Sequence, residues 1–132
     1  MGSLAIVEAW LAAVDRRDGP GVERLTAERV EIEGPRGRGT VERGMLTEWM
    51  GRAGFSATSL RWFCGAGGEV VVEQDARWVD VATGAERGRA RVASQFAVQD
   101  GRVVRYVRRD AGLSPALAAA GLTPHDEVTH RR

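Results

Sequence analysis

A single cysteine, Cys64, in a chain of 132 residues excludes an internal disulfide framework. Its neighbours in sequence include no histidine, so it reads as apolar filler rather than a nucleophile. The two histidines, His125 and His130, fall near the C-terminus beside Asp126 and Glu127, without the spacing of a folded metal site. No apolar run approaches the roughly 20 residues that a bilayer-spanning helix needs. The N-terminus also lacks the basic, apolar and small-residue succession of a secretion signal, so the expectation is a cytoplasmic protein with no membrane partner. Nineteen basic residues, all arginine, against eighteen acidic ones leave a net charge of +1, which gives no electrostatic case for nucleic acid. Internal repeats are absent. The run Arg36-Gly37-Arg38-Gly39 lacks the strand-to-helix setting of a phosphate loop and reads as a plain loop.

What is present is ordinary globular composition, 43% hydrophobic and 28% charged, at the length of one domain. Such a chain buries roughly two thirds of its unfolded surface and folds without a staple. The expectation is a single domain over residues 1–123 with a flexible tail at 124–132. Ser3 is placed to cap a helix whose apolar residues Leu4, Val7, Leu11 and Val14 recur at helical spacing, with Trp10 beside the stripe. Gly19-Pro20 opens a short second helix with Val22 and Leu25 as its apolar face. Val30 to Glu33 alternates apolar and acidic residues as a short strand, and Thr40 is positioned to cap a third helix carrying Val41, Met45 and Trp49 on one side.

From about Thr58 the period becomes two. Strands are expected over 60–64, 69–79, 87–99 and 102–109, and Asp100-Gly101 is the sharpest turn signal. A two-residue loop there would pair Phe96 with Arg105. A three-residue loop with Gly101 in a bulge pairs Phe96 with Val104 and Ser94 with Tyr106, and this second register segregates apolar from charged groups better. One face of the last hairpin then carries Val92, Ser94, Phe96, Val104, Tyr106, Arg108 and Asp110, while Arg89, Arg91, Gln95, Arg105 and Arg109 take the other. Glu73 and Asp75 are expected on the arginine face as cross-strand partners. Ser114, Pro115 and Gly121 frame a last short helix.

This order of elements resembles the nuclear-transport-factor-2-like superfamily, in its SnoaL-like and ketosteroid-isomerase-like branch. The resemblance covers about residues 4 to 110 and rests on Ala5-Ile6-Val7 through Asp18, Val30 to Pro35, Ser94-Gln95-Phe96 running into Asp100-Gly101-Arg102-Val103, and the closing Ala118 to Leu122. It implies an α+β fold in which a curved antiparallel sheet wraps around N-terminal helices as a cone with an inner pocket (a cystatin-like roll). It also implies a homodimer through the outer face of the sheet. Steroid isomerases of this superfamily use a tyrosine on the first helix, an aspartate base and a protonated aspartate. Here those positions correspond to Trp10, Gly34 and Ser94. Limonene-epoxide-hydrolase-like members use an arginine, an aspartate and a further aspartate on the last strand, which correspond to Gln74, Ala76 and Arg108. A register slip of one would instead bring Asp75 and Arg77 inward.

With those acids and bases missing, the candidate chemistry falls to other inward residues. Trp10, Trp49, Trp78 and Phe96 are candidates for an apolar ligand wall, or for core. Gln74, Ser94 and Arg108 are candidates to orient a substrate's polar end. Asp110 is the candidate base if it points into the pocket, where burial raises a carboxylate pKa, or a solvated rim residue if the strand has left the cone. Tyr106 either donates to a developing oxyanion or is satisfied by Ser94 across the hairpin. The expectation is a pocket for a small apolar or aromatic molecule, serving a cofactor-free and metal-free isomerase, cyclase or dehydratase, or else a non-catalytic binding module of the same fold.

Overall fold

In a computed structural model of the chain, which describes residues 2–34 and 37–128, four α-helices and six strands build an unclosed, curved sheet around the N-terminal helices. The strands are β1 (Thr26–Gly34), β2 (Gly37–Glu42), β3 (Phe55–Cys64), β4 (Glu69–Val79), β5 (Glu86–Gln99) and β6 (Arg102–Arg109), and their order across the sheet is β2-β1-β6-β5-β4-β3. Neighbours are antiparallel except β1 and β6, which run parallel. This is the expected α+β cone.

Helix α1 (Ser3–Asp15) buries Ile6, Val7, Trp10, Leu11, Ala13 and Val14 against the concave side of the sheet. Gly2, not Ser3, sits at its N-cap, without a side-chain cap. Asp18 caps α2 (Gly19–Arg24) by accepting from the Gly21 backbone N–H at 3.0 Å. That bond holds the Asp18 carboxyl below its ordinary pKa.

Residues 37–42, expected as a loop and the start of a helix, instead form the edge strand β2 (Gly37–Glu42), with Val41 opposite Val30 and Thr40 opposite Glu31. Nearly all of β2 is exposed, so no apolar alternation marks it. Helix α3 therefore begins later, at Arg43, and runs to Ala53. Its buried residue is Leu46, while Met45 is 47% exposed, which corrects the expected face. Gly54 ends α3 at φ 64°, where an added Cβ would collide with the Val79 carbonyl oxygen.

Strands β3 (Phe55–Cys64), β4 (Glu69–Val79) and β5 (Glu86–Gln99) complete the cone with β6. The β5–β6 hairpin resolves the loop question in an unforeseen way. The loop is two residues, Asp100 at φ 54° and Gly101 at φ 77°, with Gln99 opposite Arg102. A register shift between Ala97 and Val98 then leaves Val104 as the extra residue, so that Phe96 faces Tyr106 and Ser94 faces Arg108. The expected pairing partners were wrong, and Val103 rather than Val104 enters the core, while Ser94, Phe96, Tyr106 and Arg108 keep the expected face. The bulge lets turn chemistry and apolar segregation both be satisfied.

On the outer face, α4 (Leu113–Ala120) lays Ala116 and Leu117 over Phe63, Val71 and Ala93. The rest of that face is laced with ion pairs. Arg91 binds Asp75 at 2.9 Å, Arg105 binds Glu31 at 3.1 Å and Arg109 binds Glu33 at 3.3 Å. The arginines are thus matched to carboxylates of this same chain. The segment after Pro124, expected to be flexible, forms a 3-10 turn capped by Thr123. Glu127 then bridges to Phe63 and takes both ends of the Arg61 guanidinium, at 2.9 and 3.1 Å. His125 lies in this turn, and His130 is outside the described residues. Among the described residues no helix is long and apolar enough to cross a membrane.

Candidate functional site

The cone opens between α3 and the sheet. A cavity of about 500 Å³ lies there, within the usual range for small-molecule sites. Helix α3 supplies Leu46, Trp49, Met50 and Ala53 as one wall, because residues three and four apart share a helix face. The opposite wall is Phe55 and Trp78 from β3 and β4, whose rings are 5.8 Å apart, with Ile32 and Tyr106 as the floor. Ile32 and Tyr106 are brought together by the parallel β1–β6 pairing. No short-range pattern in the sequence announces that pairing, which is why Ile32 was not expected in the site.

The mouth is polar. Arg108 stacks its guanidinium over the Trp78 ring at 5.0 Å and donates to Asp110 at 2.8 Å. Asp110 lies one residue past the end of β6 and its side chain is 69% exposed, so the inward, desolvated carboxylate is not what the fold builds. The second carboxylate bordering the cavity, Glu33, is held by Arg109 and by Arg38 at 3.6 Å. Both acids at this site are therefore ion-paired.

Of the expected site residues, Trp49, Trp78, Tyr106, Arg108 and Asp110 meet at this one cavity. Trp10, Gln74, Ser94 and Phe96 do not line it; each is fully buried behind it. Trp10 donates from Nε1 to Thr26 Oγ1 at 2.9 Å, and Thr26 passes the chain on to the Val22 carbonyl at 2.6 Å. Its ring packs at 5.2 Å from Phe96 and 5.1 Å from Tyr106. This aromatic cluster makes Trp10 and Phe96 core and presents Tyr106 to the cavity.

Beneath Tyr106 runs a polar thread. Ser94 Oγ donates to Gln74 Oε1 at 2.6 Å, a length typical of O–H···O rather than N–H···O bonds. The Tyr106 hydroxyl lies close enough to Ser94 to feel its hydroxyl. The Gln74 amide nitrogen has no hydrogen-bond partner, although the residue is fully buried. Burial pushes the Tyr106 hydroxyl above its ordinary pKa, opposed by Arg108 and Ser94 and reinforced by Asp110. Tyr106 is thus a neutral hydroxyl across the physiological range.

Gln74 and Ala76 are buried on the concave face, while Asp75 bonds Arg91 on the convex one, so the register slip does not occur.

No protein-family model matches the chain and no curated protein matches it in sequence. Solved structures match it in shape. It is similar to an NTF2-like protein of unknown function from Cytophaga hutchinsonii, at 14% identity over 82% of this chain and 88% of that one, with a TM-score of 0.69. It is similar to SalBIII, described as an epoxide hydrolase/cyclase-like enzyme in pyran ring formation in the polyether salinomycin, at 18% identity over 81% and 88%, with a TM-score of 0.69. It is also similar to an LEH-like epoxide hydrolase of M. tuberculosis, at 22% identity over 80% and 76%, with a TM-score of 0.66. The chain therefore shares its fold with these structures, an NTF2-like protein among them.

Proposed function

We propose that this protein binds a small, flat and largely apolar molecule in the cavity between α3 and the sheet, with the molecule's one polar end at Arg108 and Tyr106. The observation that carries this reading is the lining itself: Trp49 and Trp78 on opposite walls, aliphatic groups between them and charge confined to the mouth. An aromatic slot favours a planar guest, and a guanidinium already seated on Trp78 favours an acceptor oxygen beside it. A para-substituted benzoate is a fitting probe. Binding of 4-butylbenzoate, followed by tryptophan fluorescence, should saturate at one per chain. Trp49→Ala and Trp78→Ala should each weaken it about tenfold, the worth of roughly 60 Å² of lost apolar contact. Unchanged affinity in both variants would refute the assignment of the cavity.

A second reading is favoured by the meeting of Tyr106 and Asp110 at one cavity. In it the protein is a cofactor-free isomerase, cyclase or dehydratase acting on such a molecule. Tyr106 would hydrogen-bond the oxygen on which charge develops, and Asp110 would move the proton. Binding is the better-supported role, because an effective base at neutral pH is usually a desolvated carboxylate. Both acids here are ion-paired, and Asp110 is largely exposed. Given a turned-over substrate, Asp110→Asn should abolish turnover while leaving affinity within twofold; unchanged turnover would remove Asp110 from the chemistry. The homodimer expected through the outer face is proposed for the β1–β6 half of the sheet, which α4 covers less than it covers β4 and β5. Light scattering of the eluted protein measures it directly, and a monomer mass at high concentration would refute it.

A further inference from the structure

A second cavity of about 190 Å³ lies on the other side of α3, between it and α1 and α2. Its walls are Ala13, Val14 and Val22 with Thr47 and Gly51, and its outer rim is Arg17 and Asp18. One residue, Met50, borders both this chamber and the larger cavity. Helix geometry makes it the partition. At 100° per residue, Leu46, Trp49 and Ala53 point to the large cavity and Thr47 and Gly51 to the small one, and Met50 falls about 40° from Leu46, between the two groups.

We infer that Met50 is the specificity-determining gate between the two chambers, and that the ligand is an elongated amphiphile whose apolar tail passes Met50 while its polar end stays at Arg108. This inference rests on the ligand-binding reading of the larger cavity and extends it to the ligand's length. Methionine suits the role physically. It is unbranched, with three soft side-chain torsions, so its thioether can swing aside with no movement of the backbone. A β-branched or aromatic residue there would seal the wall. The far side of the gate is open for a second reason. Gly51 stands inside α3, where glycine is the poorest helix former after proline, yet a Cβ at that position would meet nothing within 4 Å. Packing therefore does not demand the glycine, and its missing side chain leaves the border of the small chamber clear. Apart from the rim, the chamber is apolar, so its guest is hydrocarbon. Its volume is about that of six waters, enough for a chain of roughly six methylene-sized groups.

The test is a series of 4-alkylbenzoates, methyl to octyl, titrated into the whole chain and into Met50→Ala and Met50→Trp, with thermal unfolding to show that each variant is folded. In the wild-type protein affinity should rise about fourfold per methylene and keep rising through the longer chains. Met50→Trp should end the rise at short chains, so that octyl binds no tighter than the short compounds, whatever the change in the affinity of the methyl compound itself. Met50→Ala should tighten octyl binding relative to methyl binding, and because it perturbs the gate in the opposite sense the proposal does not depend on the bulky variant folding. A rise that ends at the same chain length in all three proteins would overturn the gate. If the methyl compound fails to bind the wild-type protein at all, the reading of the larger cavity falls, and the gate with it.

Discussion

Replacing Gln74 with methionine should make the protein more stable. Gln74 is fully buried on the concave face of β4, opposite Val92, and its amide nitrogen has no partner. A buried donor left unsatisfied costs about 1–3 kcal/mol, whereas the single hydrogen bond that the amide accepts from Ser94 contributes about 0.5–1.5 kcal/mol. Methionine has nearly the same length and no polar atoms to desolvate, and the Tyr106 hydroxyl stays beside Ser94. The balance favours the variant by about 1 kcal/mol. With a urea slope of about 1–3 kcal/mol/M, the unfolding midpoint should rise by roughly 0.3–1 M. Ser94→Ala alone should do the opposite, losing about 1–3 kcal/mol, because it strips the amide of its only bond. The double variant should recover to the wild-type value or above, so the two residues couple strongly in a double-mutant cycle. Urea titration read by tryptophan emission measures all four proteins. A Gln74→Met variant destabilised by 1 kcal/mol or more would show that the amide is satisfied in solution and would refute the reasoning.

Two more outcomes follow from particular groups. Tyr106 is the chain's one tyrosine, so absorbance at 295 nm titrates it alone, and its midpoint should lie above the 10.0 of a free tyrosine. Because the unfolded chain then gives up this proton first, the stabilisation is complete below about pH 10 and is lost as pH rises through the higher folded value; a midpoint at or below 10 would contradict the buried placement. Gly54→Ala should destabilise the protein by more than about 1 kcal/mol, since a Cβ at φ 64° drives into the Val79 carbonyl, and it should loosen α3 and weaken ligand binding with it. Thermal unfolding within a degree of wild type would contradict this.

Much of the fold was legible because its signals are local. The period of two gave β4 and β6 their bounds, and the helical stripe placed α1 within a residue or two. The elements that were missed are those without such a signal. Strand β2 is an exposed edge of glycine, arginine and threonine, paired only because β1 lies beside it. The bulge at Val104 is a compromise between a turn and a buried face, visible only once both are satisfied together. For the site, sequence spacing brought Trp78, Tyr106, Arg108 and Asp110 to the right end of the right face. It could not say how deep each would lie. Depth is set by how α1 packs, and α1 takes Trp10 and Phe96 into the core while leaving Tyr106 at the cavity. The wall from α3 was partly hidden because the helix begins at Arg43 rather than Val41, so Val41 belongs to β2, and the inward face is that of Leu46 and Met50 with Met45 outside.

The most direct test of the central claim is a crystal structure of the protein with 4-butylbenzoate. The ring should lie between Trp49 and Trp78, with the carboxylate within hydrogen-bonding distance of Arg108 and the butyl chain directed at Met50. A ligand bound elsewhere, or a cavity closed by the Trp49 side chain with no ligand in it at saturating concentration, would contradict the account.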